Sequence, residues 1–247
     1  MVKRPIHRLT GDGPLPEFDE LAEESIITIL CDGQTVVRLL ASPFDLVDLA
    51  YGHICCEGRG HIDSASIDGC EVSLIGVVRN RPSEDLLTAA CGACTTGDVE
   101  TPNEMVPNTT ILRGDLHKMM SEMKINQPWF QATGGMHAAA LFSQAGELLL
   151  IREDIGRHNA VDKVVGGALR NEIPIAIMGL SGRIGWELVA KAVRSGIEVI
   201  IAAGAISSAA ETLARSSGMT LVGFAASKSP AVVGPLGRII DKPSPNR

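Results

Sequence analysis

Aromatic side chains are scarce here: two Trp, one Tyr and five Phe amount to 3% of 247 residues. Stacking platforms for single-stranded bases are hard to build from so few rings, so nucleic acid is not expected as a partner. A basic block is missing too, and the net charge of -7 argues against a nonspecific nucleic-acid or anionic-membrane surface. Apolar runs such as residues 199–203 are far shorter than the roughly 20 residues a bilayer span needs. The start, residues 1–8, leads into Gly11-Asp12-Gly13-Pro14 rather than an apolar stretch with a cleavage site. No secretory signal is visible, and a cytoplasmic location is expected. The six cysteines, at 31, 55, 56, 70, 91 and 94, lack the spacing of a disulfide framework and should be mostly thiols in a reducing compartment. Neither G-x-x-x-x-G-K-[ST] nor a strand-linked G-x-G-x-x-G occurs, which leaves a P-loop or an ordinary dinucleotide fold unsupported.

What is present is ample core: 45% of the residues are apolar, enough for one large domain or two modest ones. Residues 1–24 are polar and punctuated by Pro and Gly, which reads as an irregular arm. Runs 25–30 and 35–40 flank Asp32-Gly33, a turn pair tolerant of positive φ, and predict a hairpin with Cys31 at its tip. Ser42-Pro43 reads as a helix start, and Leu46, Leu49, Ala50 and His53 share one face before Glu57-Gly58. Cys55-Cys56, within that apolar pattern, reads as buried packing. A second strand pair, 62–67 and 71–78 around Asp68-Gly69, completes an N-terminal α+β region over 25–78. Residues 79–108 form a long turn-rich linker, and 109–247 an α/β domain. In that domain 114–124 is helical, its Met119, Met120 and Met123 assigned to packing, and strands 136–142 and 148–152 follow. Helices at 158–169, 184–194 and 208–216 then alternate with strands 174–178, 199–203 and 220–224, the pattern of a parallel or mixed sheet covered on both faces.

Candidate chemistry lies in loops. Cys91 and Cys94 sit in a small-residue stretch, 88–97, in the middle of the linker. Their spacing permits a disulfide, a metal grip or a transfer of sulfur, and equally no role at all. Ligands in α/β sheets bind outside the carboxyl ends of strands, which selects loops 153–159, 179–183 and 204–207, each entering a helix. Helix N-termini with Arg157, Lys163 and Arg183 suit a phosphate or pyrophosphate, although capping alone also selects Asp, Ser and Gly there. Asp154 and His158, four apart, could face one another as an acid/base pair, the plainer alternative being a capped helix with a partly buried histidine. His137, after Thr133-Gly134-Gly135, could point to the core or to the same mouth.

Runs 132–140 and 152–163, the latter Arg-Glu-Asp-Ile-Gly-Arg-His-Asn-Ala-Val-Asp-Lys, strongly resemble the formate dehydrogenase accessory sulfurtransferase family, FdhD. The resemblance extends to Ser42-Pro43, Glu57-Gly58, the C-G-x-C pair, Ser181-Gly182-Arg183, Glu187 to Ala192, and Leu221-Val222-Gly223-Phe224. It implies a cytidine-deaminase-like mixed-sheet sandwich with an added N-terminal α+β region, a homodimer, and no required zinc. It further implies a sulfurtransferase that receives sulfur from a cysteine desulfurase as a persulfide on Cys91, with Cys94 as partner. The acceptor would be the molybdenum cofactor, Mo-bis-molybdopterin guanine dinucleotide, bound as substrate for delivery to formate dehydrogenase. Cofactor contacts are expected at Phe224, Ala225, Ala226, Ser227, Lys228 and Ser229, with Arg183, Asp154, Arg157 and His158 lining the pocket. The sequence departs from the family pattern at Thr95, at Gly185, at 203–208 and at Ala225-Ala226, where an arginine is usual; Lys228 and Arg238 are candidates to replace that charge.

Two other classes stay in view. A zinc deaminase uses His-x-Glu and Pro-Cys-x-x-Cys, against which this chain offers His61-Ile62-Asp63 and Ala90-Cys91, with Asp for Glu and Ala for Pro. A binding-only cofactor chaperone would use the cysteines for contact alone. A thioredoxin-like exchange role fits less well, because the pair does not open a helix directly after a strand.

Overall fold

The structure is a computed structural model that describes residues 2–79, 86–87 and 101–240. Its centre is a six-stranded sheet in which apolar runs long enough for both faces form the inner strands. In chain order the pieces are α2 (Leu116–Ile125), α3 (Pro128–Thr133), β8 (His137–Phe142), β9 (Leu148–Asp154), α4 (Arg157–Arg170), β10 (Ile177–Leu180), α5 (Trp186–Arg194), β11 (Val199–Ala202), α6 (Ser208–Ser217), β12 (Thr220–Gly223) and β13 (Ala231–Val233). The sheet order is β13-β12-β11-β10-β8-β9. β10, β11 and β12 are parallel; β8, β9 and β13 run antiparallel to their neighbours, so the sheet is mixed. Alternation along β8 sends Ala139 and Leu141 to the face covered by α4, α5 and α6, and Ala138, Ala140 and Phe142 to the face covered by α2. Met119, Met120 and Met123 are buried in that second layer. The strand expected at 174–178 begins later, at Ile177, where pairing with Val199 starts. Pro174 cannot donate to a ladder and stays outside it.

The N-terminal half adds a second sheet, ordered β5-β6-β3-β4-β7, from β3 (Ser25–Cys31), β4 (Gln34–Ala41), β5 (Gly60–Asp68), β6 (Glu71–Val78) and β7 (Leu86–Leu87), with α1 (Leu46–Cys56) on one face. Asp32 and Gly33 take positive φ, 51° and 74°, as the turn reading requires. Cys31 closes β3 and is buried, and Cys56 is buried with Cys55 at its edge.

The irregular arm expected over 1–24 is replaced by a strand pair over 2–21. β1 (Val2–Thr10) and β2 (Gly13–Leu21) pair antiparallel across a two-residue turn, from Val2 opposite Leu21 to Thr10 opposite Gly13. Counting back from the closing pair, Pro5, Pro14 and Pro16 fall at alternate positions whose nitrogens face away from the partner strand, where a missing N–H costs no ladder bond. The prolines that suggested irregularity are thus compatible with a ribbon.

The helix expected from Ser42-Pro43 starts only at Leu46, with Asp45 left-handed at its cap and no side-chain capping bond. Ser42 is engaged elsewhere: its N–H donates to Asp154 Oδ2 at 3.0 Å, its carbonyl accepts from Lys163 Nζ at 3.0 Å, and its hydroxyl accepts from Ile155 N–H at 3.2 Å.

α1 and α4 cross at backbone contact. A Cβ added at Gly52 would lie 1.6 Å from the Asp162 carbonyl oxygen, and one at Gly166 would lie 1.9 Å from that of Asp48. Gly166→Ala is therefore expected to force the helices apart and to lower the urea-unfolding free energy by about 3 kcal/mol or more. A loss below about 1 kcal/mol would show that the helices are not in this contact.

Candidate functional site

A cavity of about 730 Å³ opens at the carboxyl ends of the parallel strands. Ile155, Ser181 and Ala203 bring to it the three loops after β9, β10 and β11, and Ala226 brings the turn after β12. Its other wall is α2 with His117, Met120, Ser121, Met123 and Lys124, then Gln127, Phe130 and the start of β8. The volume lies in the range of small-molecule sites, and the mixture of methionine, aromatic and polar groups is typical of them.

His137 points into this cavity, which decides the orientation its strand left open. It is half-buried and makes no side-chain hydrogen bond among the described residues. Burial lowers its pKa, and the charges of Arg157 and Arg183 lower it further against Asp154. The imidazole therefore favours its neutral form in the field of two guanidinium groups, neither of which is in the cavity lining where the resemblance placed them. Arg183 is solvent-exposed, and Arg157 is half-buried with Nε unpartnered among the described residues.

Asp154 and His158 do not pair. Asp154 is fully buried, 2.7 Å from Lys163 Nζ, and accepts from the N–H of Ser42 and Gly156 and from the Asn159 amide. These partners fasten the loop that enters α4 to the segment before α1. Lys163 also lies 4.1 Å over the Phe44 ring, and burial holds its pKa below the ordinary lysine value despite Asp154. His158 is buried away from the cavity lining, with both ring nitrogens unpartnered among the described residues. Burial, then Lys191 and Arg157, press its pKa to about 3. Behind it Lys191 Nζ contacts Asp162 at 2.8 Å and Glu57 at 2.6 Å, and His53 Nδ1 is 3.2 Å from Asp162. Burial raises Asp162, but Lys191 and His53 outweigh it and hold the carboxyl below the usual range.

Of the run 224–229, Ala226 lines the cavity and Ala225 is fully buried in the core, whereas Ser227, Lys228 and Ser229 are exposed outside the lining. Phe224 is exposed with a left-handed φ of 50°. Arg238 does not supply charge to the site: it is buried, and its guanidinium donates to Asn108 Oδ1 and to the carbonyls of Pro107, Glu198 and Gly218. Cys91 and Cys94 lie outside the described residues. His61 is exposed on β5, 3.4 Å from Asp63.

The α2 contribution was not read from the sequence. His117, Ser121 and Lys124 follow the i, i+4, i+7 spacing of one helical face, a signal that was there beside the methionine stripe. His117 is fixed by its Nδ1, 3.2 Å from the Ala226 carbonyl oxygen.

Fold and site together define a mixed α/β protein whose ligand-sized cavity lies at the carboxyl ends of its parallel strands. The FdhD/NarQ family pattern matches residues 22–240, and the chain belongs to that family. It is 35% identical over 237 residues to the sulfur carrier protein FdhD of Sulfurisphaera tokodaii, covering 90% of this chain and 93% of that one. With the protein of the same name from Nocardia farcinica the identity is 36% over 248 residues, covering 90% and 89%. A solved structure described as a formate dehydrogenase accessory protein, from Desulfotalea psychrophila, shares the fold with a TM-score of 0.77 at 21% identity, over 97% of this chain and 99% of that chain. No helix among the described residues is long and apolar enough to cross a membrane.

His158 gives a signed expectation. Its folded pKa of about 3 lies below the ordinary 6.5, so between those values the unfolded chain binds more protons and acid favours unfolding. Stability contributed by the neutral ring is present above pH 6.5 and is lost as the pH falls towards 3. Urea-unfolding free energies of the wild type should fall more steeply from pH 6 to 4 than those of His158→Leu, by up to about 1.4 kcal/mol per pH unit. Parallel profiles would mean that the ring is not held neutral.

Proposed function

We propose that the protein is a cytoplasmic, homodimeric sulfurtransferase that sulfurates the molybdenum cofactor for formate dehydrogenase. The observation that carries this reading is the cavity at the strand ends, which presents His137 and Lys124 and lies within the field of Arg157 and Arg183, in a chain whose relatives are named sulfur carriers. Its size suits one guanine-nucleotide arm of Mo-bis-molybdopterin guanine dinucleotide better than the whole, with Lys124 at the lining and the field of the two arginines favouring the pyrophosphate.

In the proposed reaction the Cys91 thiolate attacks the sulfane sulfur of a cysteine desulfurase persulfide, and the donor cysteine leaves as a thiolate. Cys91 then carries the sulfur as a persulfide. Attack of the Cys94 thiolate on the Cys91 sulfur would expel hydrosulfide to the acceptor and leave a Cys91–Cys94 disulfide, the two thiols supplying the two electrons. His137, uncharged and without a hydrogen bond among the described residues, is the cavity group suited to accept the hydrosulfide proton as the sulfur passes to the acceptor.

Intact-protein mass spectrometry after incubation with a desulfurase and cysteine tests the carrier. A reducible gain of one sulfur is expected in the wild type and its loss in Cys91→Ala; no gain in the wild type would leave a binding-only chaperone, and stoichiometric zinc instead would favour a deaminase. For the cavity, Arg183→Ala is expected to weaken GDP binding roughly threefold to tenfold in titration calorimetry, the lower figure reflecting its exposure. Unchanged affinity would remove Arg183 from the site.

A further inference from the structure

α3 is the least anchored wall of the cavity. None of its six residues is buried, whereas α2, which precedes it along the same wall, buries Leu116, Met119, Met120 and Met123. One carboxylate holds its first turn: Glu153, at the end of β9 and 4% exposed, accepts from Trp129 N–H at 3.0 Å and Phe130 N–H at 2.7 Å. Trp129 also stacks on Phe44 with centroids 4.6 Å apart, and the Gln131 amide donates to the Ile125 carbonyl at 2.7 Å. Gly134, left-handed at φ 66° with nothing within 4 Å of its Cβ position, ends the helix, and Gly135 follows before β8. Phe130 projects from this short segment into the cavity.

A buried carboxylate is costly unless it is hydrogen-bonded. Among the described residues no cation pairs with Glu153, and its side-chain partners are these two N–H groups of α3. Swinging α3 outwards would strip the carboxylate of both donors, so Glu153 favours the closed position of the wall as well as capping a helix. Burial raises the Glu153 pKa while the same two N–H groups oppose that rise, in keeping with a charge that depends on α3.

We propose that residues 128–135 form a movable wall over the cavity, and that Glu153 is the positioning residue that holds this wall closed with Phe130 over a bound ligand. The choice of GDP as probe rests on the cofactor reading above; the wall itself does not. In a Trp186→Phe background Trp129 is the sole tryptophan and reports on α3 directly. Acrylamide quenching of Trp129 should rise about twofold in Glu153→Ala, and GDP should dissociate about tenfold faster in stopped flow with its association rate nearly unchanged. Glu153→Gln, which keeps one acceptor oxygen, should fall between, and it decides the matter if the alanine variant does not fold. A general loss of structure would lower the urea midpoint and slow association as well, which this reading does not expect. Unchanged Trp129 quenching in both variants would overturn the proposal, as would unchanged GDP dissociation. If wild-type protein does not bind GDP, the nucleotide reading fails, and the quenching result still decides whether Glu153 holds the wall.

Discussion

The backbone contact between α1 and α4 is the constraint from which the rest of the architecture follows. With Gly52 against Asp162 and Gly166 against Asp48, no side chain separates the helices, so their relative height and angle are fixed to within the size of a methyl group. That placement sets Asp48 between Arg152 and Arg170, at 2.9 and 2.5 Å, and sets Asp162 opposite His53. It also sets Ser42, just before α1, against Asp154 and Lys163. Buried ion pairs add little net stability, but leaving one member unpaired is expensive. Here they penalise any other register of α1 on α4, and the N-terminal sheet is thereby tied to the loop at the cavity.

Local signals were legible where local physics decides the outcome. Continuous apolar runs marked the inner strands because both sheet faces are covered, and Asp32-Gly33 marked its turn because that conformation requires positive φ. The departures share a different cause, a partner far away in sequence. Ser42 is a good local cap, yet Asp154 takes its N–H and Lys163 its carbonyl, and α1 begins three residues later than Pro43 suggested. Helix α3 was missed because its N-terminal donors are satisfied by Glu153, more than twenty residues further on, which no window across 128–133 contains. In the β1–β2 ribbon the prolines were misleading, since only the pairing register shows that their nitrogens face outwards.

The candidate site was legible as a set of loops and much less as a set of side chains. Chain topology brings strand ends together whatever the side chains do, so Ile155 and Ser181 of two expected loops reach one cavity, while the third strand end reaches it through Ala203, just before the expected 204–207. Side-chain roles within them follow the tertiary environment instead. Asp154 and His158 have the spacing of an acid/base pair, but a lysine within 2.7 Å outcompetes a histidine that burial keeps neutral. His137, which the sequence left ambiguous, joins His117 at the cavity, and Arg238 is committed to carbonyls just before β11 and β12.

An acidic chain presenting a cationic cavity requires that nearby carboxylates be neutralised internally. The net charge is -7, and two carboxylates, Glu153 and Asp154, end the strand beside the cavity. Asp154 is balanced by Lys163, and Glu153 by the two N–H groups of α3. Neither lines the cavity. Lys124 from α2 remains at the lining, and the field of Arg157 and Arg183 reaches His137. The lining thus holds a lysine and no carboxylate in a protein of net negative charge, and at ionic strengths where the Debye length is about 8 Å the local charges dominate. On the proposed cofactor reading, this arrangement favours a ligand whose negative charge is concentrated at the point of entry, as a phosphate's is, over a polyanion that would meet the acidic surface first.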